Sequence, residues 1–272
     1  MKNLRAFLLP LCLSFFTLTG FAQSAISLQL TSRNGLGADR LYEQGASPLH
    51  YSGLALQWAG ETDFQWKRCR ILQSCDLSAS MGFNAKSDAI AYGLTVESAT
   101  AFLYLWHSGK DGDFRLWGGG SIDEYLHITY LPDLMNASFS MSDFLSLCAC
   151  FTTEYDFGFR KSDGRRPFSV FGSLCLPFAG IALRPGFPYM DNYNDNPYQL
   201  NFLADTYSLH GIALSGVSTS TGIACTLSNR NRIGISYDWS YRSSGHKGVY
   251  RFDHARHLLA LHLSMNLLYR TR

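Results

Sequence analysis

Long apolar runs are the first thing that this 272-residue sequence lacks. A helix that crosses a membrane needs about 20 consecutive apolar residues, and no such stretch occurs after Leu18. A sustained helical period, a repeat at solenoid spacing and a low-complexity tract are missing as well. These absences argue against a helical membrane protein and against a repeat protein.

Charge of one sign is also scarce. The chain holds 23 Lys and Arg against 21 Asp and Glu. Two of the basic residues, Lys2 and Arg5, lie in residues 1–22, where no acidic residue occurs, so the rest of the chain is formally neutral. Nucleic-acid binders carry a basic patch or stripe, and we therefore expect no nucleic-acid partner.

Motifs for metals and cofactors are missing too. Cys148 and Cys150 form a CxC pair without a second pair or a nearby His at zinc-finger spacing. The glycine triplet 118–120 is not followed by the Lys-Ser/Thr of a phosphate loop, and the oxygen-rich run 191–196 does not have the spacing of a calcium loop. We expect no cofactor and no metal, and a disulfide between two of the cysteines stays open if the compartment is oxidising.

The N-terminus has the features of a secretory signal. Lys2 and Arg5 precede an apolar segment at residues 6–18, and Gly20-Phe21-Ala22 then supplies the small-x-small pattern that a signal peptidase reads. The apolar segment is too short to span a membrane as a helix. We predict a signal peptide at residues 1–22, with cleavage after Ala22.

The C-terminal stretch shows the clearest strand pattern. Successive side chains of a strand point to opposite faces, and here one face is apolar while the other is mostly polar. About 9–11 tilted residues cross a membrane as a strand. The pattern is typical of a strand with one face towards lipid and the other towards a barrel lumen. The apolar face holds Leu259, Leu261, Leu263, Met265, Leu267 and Tyr269, and the other face holds Ala260, His262, Ser264, Asn266, Leu268 and Arg270.

Similar alternation recurs through the body of the chain, and it predicts an all-β fold. We expect residues 23–272 to form a transmembrane antiparallel β-barrel of about 10 strands, within a range of roughly 8–12, with short periplasmic turns and longer outer loops. We also expect the glycine triplet 118–120 to permit a bend or bulge. Besides the C-terminal strand, the predicted strands lie in residues 26–30, 54–58, 77–83, 92–106, 114–130, 145–159, 168–178, 206–228 and 233–241.

The connections mostly agree with this arrangement. Residues 61–70 are long for a periplasmic turn, and residues 85–89 are short for an outer loop. The predicted periplasmic turns are 108–112, 161–166 and 228–231, and the predicted outer loops are 34–49, 131–143, 184–205 and 242–256.

Four features together resemble a family of outer-membrane β-barrels of the Bacteroidota. They are the Gly-Phe-Ala-Gln around Ala22, the run 176–181 (Leu-Pro-Phe-Ala-Gly-Ile), the Pro- and Tyr-rich loop 185–198, and the final strand. The resemblance implies a barrel in the cell outer membrane, in contact with outer-membrane lipid and inserted by the barrel assembly machinery. It implies no activity, since none is established for that group. The sequence departs from the usual aromatic C-terminus by ending in Arg-Thr-Arg at 270–272.

The pair His262 and Ser264 raises the alternative of a lipid-modifying hydrolase. Two-residue spacing puts both side chains on one strand face, as in the His-x-Ser pair of outer-membrane lipid hydrolases. That face is opposite to the leucine face, so it points into the lumen and away from lipid. We therefore expect a non-enzymatic barrel. Its interior would be filled by hydrogen-bonded and ion-paired side chains, with Glu97, Glu154, Asp156, His262 and Arg270 as candidates.

The function expected is structural or binding through the outer loops, with a narrow solute pore as a further alternative. Barrels of about 8 strands are just filled by side chains, and open aqueous channels appear near 16 strands. The loop 184–205 is the candidate binding surface, because aromatic and amide side chains suit recognition and prolines limit the entropy lost. The candidate binding residues are Phe187, Tyr189, Asp191, Tyr193, Asp195 and Tyr198, and the extracellular ligand is unknown.

Overall fold

The computed structural model describes residues 26–44, 47–109, 111–133, 139–159, 166–185, 207–211, 214–244 and 251–269. The predicted signal peptide lies outside these ranges. No helix within them is long and apolar enough to cross a membrane.

The described chain forms β-strands joined by short connections, as the alternating pattern predicts. The strands are β1 (Ile26–Glu43), β2 (His50–Trp66), β3 (Cys69–Phe83), β4 (Ile90–Ser108), β5 (Phe114–Tyr130), β6 (Phe139–Phe157), β7 (Phe168–Pro185), β8 (Tyr207–Gly211), β9 (Leu214–Thr226), β10 (Arg232–Ser244) and β11 (Phe252–Tyr269).

The strands close into an antiparallel barrel. Strands β1 to β7 pair in chain order, β9 to β11 do likewise, and β1 pairs with β11. Strand β7 pairs with β9 along Phe168–Cys175 and with β8 along Ile181–Pro185. Strands β8 and β9 therefore share one position, and the barrel has ten strands. This confirms the predicted fold, with residues 206–228 as the eighth strand.

The barrel has two different ends. The turn end carries Ile26, Tyr269 and the connections 67–68, 109–113, 158–167 and 227–231. The loop end carries the connections 44–49, 84–89, 131–138, 186–206 and 245–251. Both ends of the described chain thus lie on the side with the shorter connections, as the sequence predicts.

Four predicted connections are wrong in their bounds. Strand β6 begins at Phe139, so the predicted loop 131–143 ends five residues earlier. Strand β1 continues to Glu43, so most of the predicted loop 34–49 is strand, and β2 continues to Trp66, which leaves a two-residue turn in place of 61–70. Strands β10 and β11 take up both ends of the predicted loop 242–256. The physical reason is shared: polar residues such as Asp39 and Arg256 face the barrel interior, so a strand that contains them does not look apolar.

The two faces of β11 are as different as its sequence predicts. Leu259 is 62% exposed on the outside, whereas Leu258 and Ala260 are 2% and 1% exposed inside the barrel. Leu268, predicted on the inner face, is instead 53% exposed. The register of β1 and β11 shifts between Leu28 and Gln29 and skips Leu267, and such a bulge changes which way the following side chains point.

A second bulge lies beside the glycine triplet. The register between β4 and β5 shifts between Leu105 and His107, so Trp106 has no partner on β5. A Cβ at Gly118 would lie 2.4 Å from the Trp106 ring, and that ring meets Phe151 edge-on with 5.5 Å between centroids. The expected irregularity is therefore present, but it lies in β4, and Gly118 leaves room for the tryptophan.

Candidate functional site in the barrel interior

Apolar side chains fill the barrel near the loop end. Strands β1, β2, β4, β5, β6, β7 and β11 each contribute one residue, and none of the cluster is more than 4% exposed. The rings of Phe144 on β6 and Phe252 on β11 are in contact, and these strands are far apart in the wall, so the cluster crosses the lumen. We call it the aromatic plug, and it consists of Leu41, Tyr51, Ala91, Tyr125, Leu131, Phe144, Ala182 and Phe252.

A buried polar chain supports the plug from below. The phenol of Tyr125 hydrogen-bonds Nδ1 of His254, and Nε2 of His254 lies 2.7 Å from Oδ1 of Asp39. The His127 ring lies 4.6 Å from that of His254, and its Nδ1 is 2.9 Å from the Thr95 hydroxyl. Buried polar groups are tolerated when they are hydrogen-bonded, so this chain fixes Tyr125 in the middle of the plug.

Ion pairs occupy the middle of the barrel. Arg256 donates to Glu97 at 2.7 Å and to the Ser78 hydroxyl at 2.6 Å. Arg33 lies 3.1 Å from Asp76 and 3.8 Å from Asp238. These contacts join strands that are not neighbours: Arg33 reaches two positions along the wall in each direction, and the pair of Arg256 and Glu97 reaches four.

A further set of ion pairs lies towards the turn end. Arg115 donates to Asp156 at 2.7 Å and lies 3.2 Å from Glu154, which also pairs with Arg232 at 2.7 Å. Arg70 pairs with Asp63 at 2.8 Å and lies 4.8 Å from the centroid of the Trp117 ring. The predicted interior acids Glu97, Glu154 and Asp156 are therefore all ion-paired, whereas Arg270 lies outside the described residues.

The arginines of the interior ion pairs are not among the residues that the sequence predicts for the lumen. Arg70 and Arg256 fall in segments predicted to be connections, and Arg33 falls at the edge of one. The alternation of side chains could have identified them. Arg33 lies two positions after the inward Thr31 and three after the outward Leu30, so its side chain points into the lumen.

Three adjacent cavities lie below the plug. The first, of about 190 Å³, shares Arg33 and Glu61 with the second, of about 140 Å³. The second shares Arg70 and Arg232 with a third, of about 310 Å³, which reaches the turn end. Arg242 lines the first cavity and lies 5.2 Å from the Tyr125 ring centroid, so the plug bounds the cavities on the loop side.

Two cysteines are joined inside the barrel. Cys150 on β6 and Cys175 on β7 are direct cross-strand partners and form a disulfide that lines the first cavity. The thiol of Cys148 is buried and donates to Asp123 at 3.1 Å. Cys69 and Cys75 are exposed free thiols.

The His262 and Ser264 pair does not form a catalytic triad. Ser264 lies 2.9 Å from the Thr31 hydroxyl, and His262 lies 2.6 Å from the Ser236 hydroxyl. Ser236 donates its only proton to Asp238 at 2.9 Å, so at His262 it accepts a hydrogen bond. A nucleophilic serine must instead donate to the histidine that serves as its base.

The candidate binding residues of loop 184–205 cannot be placed in the same way. Phe187, Tyr189, Asp191, Tyr193, Asp195 and Tyr198 all lie outside the described residues. Within the described ranges, no group of three or more His, Cys, Asp or Glu is arranged to hold a metal ion. The interior is therefore the candidate site that the structure describes.

No family model matches the chain, and no curated protein matches it. Solved structures similar to it include the transport unit of the autotransporter AIDA-I from Escherichia coli, with 8% identity, coverage of 98% of this chain and 97% of that chain, and a TM-score of 0.46. The translocator domain of the autotransporter NalP from Neisseria meningitidis has 8% identity, coverage of 95% and 96%, and a TM-score of 0.32. The P. putida toluene transporter TodX has 7% identity, coverage of 92% of both chains, and a TM-score of 0.29. At these values the fold assignment rests on the strand pairing, and no function follows from the likeness.

Proposed function

We propose that this chain is an outer-membrane β-barrel that is closed to free diffusion, performs no enzymatic reaction and acts as a structural protein or through binding at its loop end. Exposed apolar side chains cover much of its outside, and its charges lie largely inside. The outer surface would contact outer-membrane lipid, and the barrel assembly machinery would insert it. The signal peptide predicted at residues 1–22 would direct export.

The height of the apolar surface fits a membrane. On β4, the outward aromatic residues Tyr92 and Tyr104 are 43% and 47% exposed and twelve positions apart. At about 3.3 Å per residue and a tilt of about 40°, they are separated by about 30 Å along the barrel axis. Aromatic girdles of membrane barrels flank an apolar band about 25 Å tall, so Tyr92 and Tyr104 would lie at its two edges.

The aromatic plug is the observation that carries the closed state. Phe144 and Phe252 have no exposed surface and their ring centroids are 5.2 Å apart. A ten-stranded barrel is only slightly wider than one that side chains fill completely. We therefore expect the plug to close the described part of the lumen to free diffusion.

Planar-bilayer recording of the purified protein tests the closed state. We expect no steady nanosiemens-scale steps from the wild type, and we expect the double variant Phe144→Ala/Phe252→Ala to conduct more. The matched control is Leu145→Ala, which removes an outward side chain next to Phe144. Steady steps from the wild type would establish the solute-pore alternative instead.

Location and enzymatic activity need separate tests. The mature chain should begin at or near Gln23 by mass spectrometry and should fractionate with the outer membrane. Recovery mainly from the periplasm would contradict the proposal. Mass spectra of lipid A and phospholipids from cells with and without the gene should be alike, and a gene-dependent loss of acyl chains would establish the hydrolase alternative.

A further inference from the structure

A row of small and polar residues interrupts the apolar outer surface. The residues are direct cross-strand partners on five successive strands, β1 to β5. On either side the row continues with apolar residues: Leu145 on β6, and Leu263 on β11. We call it the polar row, and it consists of Ser32, Gly60, Cys75, Ser98 and Glu124.

Glu124 points away from the lumen. Its neighbours Asp123 and Tyr125 are 7% and 1% exposed, and both make contacts inside the barrel. The strand is regular at this point, so Glu124 has the same direction as Ile122, which is 51% exposed on the outside. Successive side chains of a strand alternate, and this carboxylate therefore lies on the outer surface.

The depth of Glu124 makes its position costly. It pairs with Ser98, which lies six positions from both Tyr92 and Tyr104, the two edges of the apolar surface. Among the described residues, no hydrogen bond or ion pair reaches the Glu124 carboxylate. Asp143 is also outward, and its Oδ1 atom has no hydrogen-bond partner. It is an acid like Glu124, so the two charges repel each other. An ionisable group in the membrane needs a polar partner, and none contacts Glu124 in the part of the barrel that the structure describes.

We propose that the polar row is the interface between two copies of this chain in the membrane. A two-fold axis along the membrane normal, passing between Ser98 and Glu124, brings each Ser98 hydroxyl opposite the Glu124 carboxylate of the other copy. The interface then contains two equivalent hydrogen bonds, each from the Ser98 hydroxyl of one copy to the Glu124 carboxylate of the other. Two-fold pairing is the commonest symmetry of homo-oligomers, and it places the same patch on both sides. The small residues Gly60, Cys75 and Ser98 permit close approach of the two walls.

Cross-linking in native outer membranes tests this interface. The background carries Cys69→Ser, Cys75→Ser and Cys225→Ser, which remove the outward free thiols and keep the Cys150–Cys175 disulfide. In this background, Ser98→Cys should form a species of twice the monomer mass with an oxidant or a short bifunctional maleimide. The matched control Ile235→Cys lies on the outer face of β10, where the surface is apolar, and should stay monomeric. A monomeric Ser98→Cys, or equal cross-linking of both variants, would overturn the proposal.

A second measurement separates an interface from a folding effect. The molecular mass in detergent should be that of a dimer for the wild type and for Ile235→Phe. It should be that of a monomer for Ser98→Phe and mostly monomer for Glu124→Leu, with heat-modifiable migration showing that each barrel is folded. A wild type that is monomeric in mass would contradict the dimer.

The dimer rests on the membrane location proposed above, and the two can fail separately. Recovery of the protein in the periplasmic fraction would contradict the outer-membrane location and, with it, the membrane dimer. Protein that is in the outer membrane but monomeric removes the dimer alone.

Discussion

At the scale of residues, the arginines of the interior decide whether the barrel tolerates its buried acids. Arg256 and Glu97 have side chains only 4% and 16% exposed and lie on β11 and β4, so their contact crosses the lumen. Arg256→Ala leaves Glu97 without its partner, and such a change costs about 3–5 kcal/mol. The free energy of unfolding in lipid vesicles, from urea titration, should fall by that amount.

The control for this prediction is an ion pair at the rim. Arg251 pairs with Asp253 at 2.6 Å, but the Arg251 side chain is 59% exposed. Exposed pairs contribute little to stability because solvent screens the charges, so Arg251→Ala should change the unfolding free energy little. If Arg251→Ala and Arg256→Ala lowered the unfolding free energy equally, water would screen charges in the lumen as well as at the rim.

Part of this interior could be predicted from the sequence. Parity alone places Glu97 and Glu154 inside, because Val96 and Tyr155, which lie next to them, belong to the outward apolar or aromatic residues of their strands. Their partners could not be found, since Glu97 and Arg256 are 159 positions apart. Which residues meet across a lumen depends on the tilt and shear of the whole barrel, and no local pattern encodes either quantity.

At the scale of elements, the two faces of β11 should respond differently to substitution. Leu263 is 46% exposed on the outside, and an arginine on the lipid face near the membrane midplane costs about 2–4 kcal/mol. Ser264 is nearly buried and makes one hydrogen bond, to Thr31, whose loss costs about 1 kcal/mol. Leu263→Arg should therefore reduce the yield of heat-modifiable barrel, and Ser264→Ala should leave most of it.

An equal response of the two variants would mean that the alternation does not separate lipid from lumen.

The same alternation predicts all ten strands but not their ends. The apolar alternation predicts strand β1 only at residues 26–30, because Arg33 and Asp39 interrupt it beyond that point. Inside a barrel, charged residues such as these belong to the strand and point into the lumen. They can be distinguished from loop residues only once the closed sheet is known.

At the scale of the whole molecule, the interior is asymmetric along the barrel axis. The aromatic plug lies near the loop end, and the row of adjacent cavities extends from beneath it to Asp111 and Asp113 at the turn end. In the proposed orientation the turn end faces the periplasm. The water-accessible part of the lumen would then belong to the periplasmic side, and the outside of the cell would meet a closed surface.

This orientation predicts which end of the barrel reagents reach from outside the cell. Ser87 lies in the exposed connection between β3 and β4 at the loop end, and Lys67 lies in the exposed turn between β2 and β3 at the turn end. Each is changed to Cys in the background that lacks the outward free thiols. On intact cells, a membrane-impermeant maleimide should label Ser87→Cys and leave Lys67→Cys unlabelled, because short turns of such barrels are periplasmic. After cell lysis both should be labelled, which shows that Lys67→Cys is reactive. Labelling of Lys67→Cys alone on intact cells would invert the barrel and place the loop end, with residues 184–205, in the periplasm.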